Sequence, residues 1–283
     1  MTKIALVTDS TSYIPDELVR RYQITVVPQV LVWGDEIFAD GVDIQPNEFY
    51  ERLKTASVMP STSQATVSTF MNIFQRLLEQ DYAILAILVS EKLSGTINSA
   101  TQAREHLPAG APIEIVDSLS VSMGLGFNVL SVARAVEAGA TLPEAVALAQ
   151  RAPGHTGVVL TVETLEFLHR GGRIGSGKRF LGTALKIKPV LEVRDGRIEA
   201  VESVRTRGKS LSRLVDLVAA QVGDRRPIRL AALHANAEAD ARSVLEEACA
   251  RLPVEESLLS IVSPVVGTHA GPGTVGLAYM AGM

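Results

Sequence analysis

The run Gly267-Thr268-His269-Ala270-Gly271-Pro272-Gly273 sets one histidine among glycines and a proline, directly after an apolar stretch at 258–266. Glycine lets a backbone turn sharply or approach a ligand closely. An imidazole presented there can donate to an anion or exchange a proton near neutral pH. Two hydroxyl-rich segments upstream would suit the same anion: Pro60-Ser61-Thr62-Ser63-Gln64 and Ser90-Glu91-Lys92-Leu93-Ser94-Gly95-Thr96. A third, Asp9-Ser10-Thr11-Ser12, follows the first strand-like run. Thr62 and Ser63 precede a predicted helix, and Ser94 and Gly95 open another. Helix N-termini offer unpaired N–H groups and partial positive charge, and ligands of open α/β sheets collect beyond the carboxyl ends of the strands. Together with His269 these residues point to a carboxylate or phosphate site, although any one of the hydroxyls taken alone reads equally well as a helix cap.

Other chemistries fare less well. Ser94 with His269 could form the nucleophile–base pair of a hydrolase, but Leu93-Ser94-Gly95-Thr96 is not a Gly-x-Ser-x-Gly elbow. The segment Gly171-Gly172-Arg173-Ile174-Gly175-Ser176-Gly177-Lys178-Arg179 approaches a phosphate-binding loop, yet Arg179 stands where magnesium needs Ser or Thr. The residues before it read as helix rather than strand, with Gly171 and Gly172 ending that helix. His106, His155, His169, His234 and His269 are scattered, with no pair at metal-ligand spacing. The basic residues Arg170, Arg173, Lys178, Arg179, Lys186 and Lys188, with Arg205 and Arg207 further on, form either a solvated face or a surface for an anionic partner.

The elements that must position these groups alternate in the first half. Strands are predicted at 3–8, 24–33, 82–89 and 113–116, with a short strand or excursion at 38–44. Helices are predicted at 15–22, 47–54, 67–79, 95–106, 124–138 and 143–151. Alternation of this kind implies a parallel sheet covered on both faces. The apolar helix at 124–138 reads first as core, and could also line an apolar pocket. In the second half, strands at 155–162, 189–193 and 197–204 include a hairpin around Asp195-Gly196. Helices at 164–170, 211–222 and 237–252 and strands at 229–233 and 258–266 complete a mixed sheet. The boundary falls near Pro153-Gly154. The expected architecture is α/β with two domains, a parallel-sheet domain at 1–154 and a mixed-sheet domain at 155–283.

Composition narrows the function further. With 283 residues and 47% hydrophobic residues the chain can bury a large interior. A net charge of -4 gives no nucleic-acid footprint. Cys249 is the only cysteine, which rules out an internal disulfide and fits a reducing compartment. No apolar stretch reaches bilayer length, and the first residues run into a strand rather than a secretory signal. The expected location is the cytoplasm.

Taken in order, the motifs resemble the DegV family, the fatty-acid-binding B subunits of bacterial fatty acid kinase. The resemblance spans essentially the whole chain. It rests on Val7-Thr8-Asp9-Ser10-Thr11, the two hydroxyl segments above, Val116-Asp117-Ser118, Leu168-His169-Arg170-Gly171-Gly172-Arg173-Ile174, Lys186-Ile187-Lys188-Pro189-Val190-Leu191 and the His269 run. It implies a long-chain fatty acid buried between the domains and held by its carboxylate at Thr62, Ser63, Ser94, Gly95 and His269, with no metal and no further cofactor. Ala270 stands where the family often has a second threonine. The resemblance also implies a substrate-binding subunit that is not itself catalytic. It would present the carboxylate to a separate ATP-dependent kinase subunit, carry the acyl phosphate to an acyltransferase, and touch a membrane surface transiently. Arg173 and Arg205 fall in the partner-facing or phosphate-facing region by the same likeness. Residues 33–42 and 175–181 are the segments expected to open for lipid exchange. A serine hydrolase and a lipid-bound regulatory module are the competing readings.

Overall fold

In a computed structural model, residues 3–180 and 187–283 are described. Lys186 of the basic cluster and Leu181 of the second exchange segment lie outside them. The strands of the first half are β1 (Lys3–Asp9), β2 (Thr25–Val27), β3 (Val30–Trp33), β4 (Glu36–Ala39), β5 (Ser61–Ser63), β6 (Tyr82–Leu88) and β7 (Ile113–Asp117). Its helices are α1 (Asp16–Arg21), α2 (Pro46–Lys54), α3 (Val67–Leu78), α4 (Thr96–Glu105), α5 (Met123–Glu137) and α6 (Leu142–Arg151). The second half contributes β8 (Thr156–Thr161), α7 (Glu166–Arg170), β9 (Lys188–Arg194), β10 (Arg197–Val204), α8 (Arg207–Val222) and β11 (Ile228–His234). It continues with α9 (Glu238–Arg251), β12 (Glu256–Ile261), α10 (Pro264–Ala270) and β13 (Val275–Ala281).

Three sheets result. A four-stranded sheet runs β2-β1-β6-β7, with every pairing parallel. A six-stranded sheet runs β10-β9-β8-β13-β11-β12, antiparallel except for β11 with β12. A small antiparallel sheet, β4-β3-β5, branches from the first half. The α/β class with one parallel and one mixed sheet is the one read from the pattern. The hairpin is present too, with Asp195 and Gly196 both at positive φ, 49° and 76°, as a two-residue I′ turn requires.

Two apolar runs divide where a single strand was expected. Residues 24–33 split at Pro28-Gln29 into β2, which joins the parallel sheet, and β3, which joins the small one. Residues 258–266 split at Ser263-Pro264 into β12 and α10. Proline removes a ladder donor and suits the first turn of a helix. A continuous apolar run carries no period that would reveal such a break. The excursion expected at 38–44 is the end of β4 followed by a turn that closes with an Asp40–Ile44 bridge. Thr62 and Ser63 lie on β5, not at a helix N-terminus; the cap of α3 is Thr66, whose side chain accepts from the Thr69 N–H.

Helix α5 occupies the centre. Its first eight residues, Met123–Leu130, are buried on every side, with Met123, Leu125, Phe127, Val129 and Leu130 fully buried, while Ser131, Arg134 and Glu137 set a polar stripe along its later turns. It packs against β1 and β6 on one side and β8 and β13 on the other. One continuous core therefore joins the two halves, running from Leu6 and Leu85 to Leu233 and Met280. Gly126 lets α5 approach the first half: an added Cβ would stand 2.6 Å from the Ser12 carbonyl oxygen and 2.8 Å from Met123 Sδ. Gly126→Ala should cost about 1–3 kcal/mol by overpacking. In contrast, Gly208→Ala in the open first turn of α8, where a Cβ meets nothing within 4 Å, should gain up to about 1 kcal/mol. Urea unfolding of the two variants checks both signs.

Candidate functional site

In the parallel sheet the chain passes from β1 to β2 on one side and later to β6 on the other, so the connections diverge between β1 and β6. A crevice is expected at that point, beyond the carboxyl ends of the strands. Thr11 and Tyr13 follow β1, and Val89, Leu93 and Ser94 follow β6; all five line a cavity of about 970 Å³. The opposite wall belongs to the second half, through Val158, Leu160, Val193, Leu233 and Val265 among others. The cavity lining is largely aliphatic.

At one end the lining becomes polar. Thr62 Oγ1 lies 2.7 Å from His269 Nε2. Burial, with the Arg173 charge adding to it, pushes His269 down to about 4, so the imidazole is neutral at physiological pH. His269 Nδ1 is buried without a partner. A buried unpaired N–H is rarer in native proteins than an under-satisfied acceptor, so the geometry favours the proton on Nε2, donated to Thr62. The Thr62 hydroxyl then keeps its own proton for another acceptor. Ser94 Oγ lies 2.8 Å from Thr96 Oγ1. Arg173 donates through Nε to the Leu93 carbonyl at 3.0 Å and through a terminal nitrogen to the Gly171 carbonyl at 2.6 Å. Both partners are neutral carbonyls, so these bonds leave the guanidinium charge uncancelled. Ser63 and Gln64 complete this end. The set consists of neutral donors with one cation, and it suits an anionic oxygen acceptor.

A second cavity of about 640 Å³ lies on the outer side of this end. Thr62, Arg173 and His269 line both cavities. Met59, Pro60, Ser61, Phe167, Arg170 and Thr268 line the outer one. The Thr62–His269 pair therefore stands as a partition between the two cavities.

Close packing holds His269 in place. It is carried by α10, not by a glycine turn after a strand. Gly267 lets α10 meet α2, where an added Cβ would lie 2.5 Å from Tyr50 Oη. Gly171 has an ordinary helical φ of -72°, but a Cβ there would overlap His269 Nδ1. The start of α10 is fixed by Asp40, which accepts from Val265 N–H at 3.3 Å and from Ser10 Oγ at 2.6 Å. Burial raises Asp40 to about 6 against these hydrogen bonds. Asp9 is buried as well. Burial pushes it up, while bonds from Thr11, Val89 and Gln29 hold it down.

Of the residues singled out in the sequence, Thr62, Ser63, Ser94, His269 and Arg173 surround this end of the cavity. Gly95 does not line it; a Cβ there would lie 3.0 Å from Gln64 Nε2. Arg205 is exposed just beyond β10 and lines neither cavity. Most of the other basic residues are engaged: Arg170 with Glu166, Lys188 with Glu163, and Arg207 with Asp240 and Glu163. Ser94 and His269 each bond to a threonine and not to one another, so the nucleophile–base pair is not formed. The segment resembling a phosphate loop is a short helix, α7, followed by a 3-10 turn at Gly175–Phe180. Among the described residues no group of His, Cys, Asp or Glu could hold a metal, and no helix is long and apolar enough to cross a membrane. Gln29 and Asp40 carry no mark as site residues in the sequence, and Thr96 enters it only as the last residue of the second hydroxyl segment. The one sequence signal at Gln29 was a Pro-Gln pair interrupting an apolar run.

Comparison with known proteins gives concordant matches. A model of the DegV family, which describes its members as uncharacterised proteins, matches residues 3–282. A DegV domain-containing protein of Streptomyces coelicolor is 35% identical over 276 residues, 97% of either chain. A structure of a DegV family protein from Thermus thermophilus, described by its fatty acid binding, superposes with a TM-score of 0.93 at 35% identity over 99% of both chains. The structure of DegV from Bacillus subtilis, described as a fatty acid binding protein, gives a TM-score of 0.89 at 31% identity over 99% of this chain and 100% of that one.

Proposed function

This chain belongs to the DegV family, and from that premise we propose that it binds a long-chain fatty acid and presents the carboxylate to a separate ATP-dependent kinase for acyl phosphate formation. The observation that carries the reading is a single cavity that is aliphatic along its length and ends at Thr62, Ser63, Ser94, His269 and Arg173. Solved relatives that bind fatty acid support it. The acyl chain fills the aliphatic part, where each methylene removed from water contributes about 0.8 kcal/mol. The carboxylate accepts from the Thr62 and Ser94 hydroxyls beside the Arg173 charge. His269 positions Thr62 and performs no covalent step.

The outer cavity gives a kinase its approach to the carboxylate from the far side of the partition, with Arg170 and Arg173 beside the arriving phosphoryl group. In this scheme residues 1–154 and 155–283 act as two domains holding the ligand between them. Arg205, on the outer surface, faces the partner. The loaded protein then passes its acyl phosphate to an acyltransferase, works in the cytoplasm, and exchanges lipid during brief contact with a membrane.

Native mass spectrometry of the purified protein, followed by lipid extraction, tests the binding. A stoichiometric fatty acid is expected; a protein that carries none and takes up neither oleate nor palmitate overturns the reading. Formation of acyl phosphate from ATP by the protein alone would overturn the division of labour. Ser94→Ala removes one donor to a charged acceptor, worth about 1.5–3 kcal/mol. Its palmitate affinity should fall by about tenfold to a hundredfold, read by titration calorimetry.

A further inference from the structure

We propose that Gln29 is a positioning residue that makes the site selective for an ionised head group, by fixing the direction of a chain of hydroxyl hydrogen bonds that ends at Ser94. The proposal rests on the fatty-acid reading and extends it to the choice of head group.

Gln29 lies between β2 and β3, is 2% exposed, and lines the acyl cavity. Every polar group it has is engaged. Its backbone N–H donates to Ser10 Oγ at 3.1 Å and its carbonyl accepts from the Asp40 N–H at 2.9 Å. Its side-chain Oε1 accepts from the Ala65 N–H at 3.0 Å, and Nε2 lies 2.9 Å from Thr96 Oγ1. A backbone N–H can only donate, so Ala65 fixes which end of the amide is the oxygen. The amide cannot be turned over without opposing donor to donor at Ala65.

The remaining protons follow from this orientation. Thr96 Oγ1 accepts from Gln29 Nε2, and its single proton has two acceptors within reach, Ser94 Oγ at 2.8 Å and Gln29 Oε1 at 3.2 Å. Oε1 keeps a second lone pair beside the Ala65 proton, but the Ser94 contact is the shorter of the two. Thr96 therefore donates to Ser94, and the Ser94 proton is left to point at the ligand. The direction is Gln29 Nε2–H to Thr96 Oγ1–H to Ser94 Oγ–H to the head group. Successive hydroxyl donors of this kind polarise one another. A carboxylate, which can only accept, fits the end of the chain; a head group that must donate to Ser94 does not. Gln29 also ties the two hydroxyl loops together, because Ala65 follows the Thr62–Gln64 segment and Thr96 follows Ser94.

Gln29→Glu tests the direction with almost no change of shape. Its carboxyl still accepts from Ala65, but presents an acceptor to Thr96. Thr96 then donates to it, Ser94 donates to Thr96, and Ser94 offers the ligand only a lone pair. Palmitate and 1-hexadecanol share a chain length; the alcohol is uncharged and can donate as well as accept, so Thr96→Val, which adds no charge, separates hydrogen-bond direction from charge repulsion by a carboxylate at position 29. Affinities of the full-length protein for both are read by native mass spectrometry. Gln29→Glu should weaken palmitate by about tenfold or more, the loss of one hydrogen bond to a charged acceptor, and leave 1-hexadecanol unchanged or tighter. Thr96→Val, which breaks the chain without a new carboxyl, should shift the palmitate-to-alcohol ratio in the same direction; it keeps the test open should the first variant fail to fold. Equal losses for the two ligands, or an unchanged ratio, would show a purely structural role and overturn the proposal. Wild-type protein that binds neither ligand would instead overturn the fatty-acid reading itself.

Discussion

Gly171→Ala is expected to abolish retention of the carboxyl ligand while leaving the backbone of α7 intact. The φ of -72° suits alanine as well as glycine, so the substitution carries no conformational penalty of its own. What it adds is a methyl group that overlaps His269 Nδ1. The imidazole has little room to retreat, since α10 is held at Gly267 against Tyr50 and Phe49 and at Gly271 against Phe167. Displacing it opens the 2.7 Å bond to Thr62, freeing the hydroxyl to turn from the cavity. Overpacking should also lower stability by about 1–3 kcal/mol. The neighbouring glycine is the control. Gly172 has φ 72° with nothing near its missing Cβ, so Gly172→Ala should cost about 1 kcal/mol from backbone strain and leave binding untouched. The readouts are ligand occupancy by native mass spectrometry and melting temperature. Equal occupancy in the two variants would show that His269 is not seated by Gly171.

The second large effect is on the pH dependence of stability. Burial raises Asp40 from 3.8 to about 6, so its contribution is fully present below pH 3.8 and is lost as pH rises through 6. Burial and Arg173 lower His269 from 6.5 to about 4, so its contribution is present above pH 6.5 and is lost as pH falls through 4. Each shift corresponds to about 3 kcal/mol, and the two slopes oppose one another between pH 4 and 6.5. Asp40→Asn keeps an oxygen for the Val265 N–H and a hydrogen-bonding partner for Ser10, and removes one slope. The variant should be more stable than wild type at pH 7.5 by up to about 3 kcal/mol. It should lose stability steeply on acidification from 6.5 to 4, where wild type stays comparatively level. His234, lowered by burial, is common to both proteins; Asp9, also raised by burial, is coupled to the Asp40 charge, and its shift is part of the difference measured. Urea midpoints at pH 4.5, 6 and 7.5 measure the difference; parallel profiles would show that Asp40 does not ionise across this range.

What could be read from the sequence followed from local chemistry. The hydroxyl residues of 60–64 and 90–96 stood out because Ser and Thr cluster at strand ends, and the structure gathers Thr62, Ser63 and Ser94 around one end of a cavity. The alternation of strands and helices gave the parallel sheet, and Asp195-Gly196 gave the hairpin. The groups that orient the hydroxyls were hidden for different reasons. Gln29 is a neutral amide in an apolar run, and its role depends on Ala65 and Thr96, which only the folded chain brings to it. From its own segment Arg173 reads as one of several basic residues, and only the family likeness marks it as partner-facing or phosphate-facing; the turn after α7 brings it onto the Leu93 carbonyl. The helix that carries His269 was masked by the apolar residues before it, because Val262, Val265 and Val266 serve the cavity wall as well as they would a strand.

The order of the six-stranded sheet has a bearing on biosynthesis. Its interior strand β13 lies between β8 and β11, yet comes last in chain order among the strands described. A nascent chain leaving the ribosome must hold β8 and β11 with unpaired edges until Val275–Ala281 has emerged, and exposed edges of that kind invite pairing with other chains. The same residues close one side of the core around α5. A stalled or prematurely released chain would thus lack both the middle of one sheet and the cover of the central helix. Such a chain is a natural substrate for chaperones and proteases, and the cavity wall contributed by the second half would not be closed before translation had passed β13.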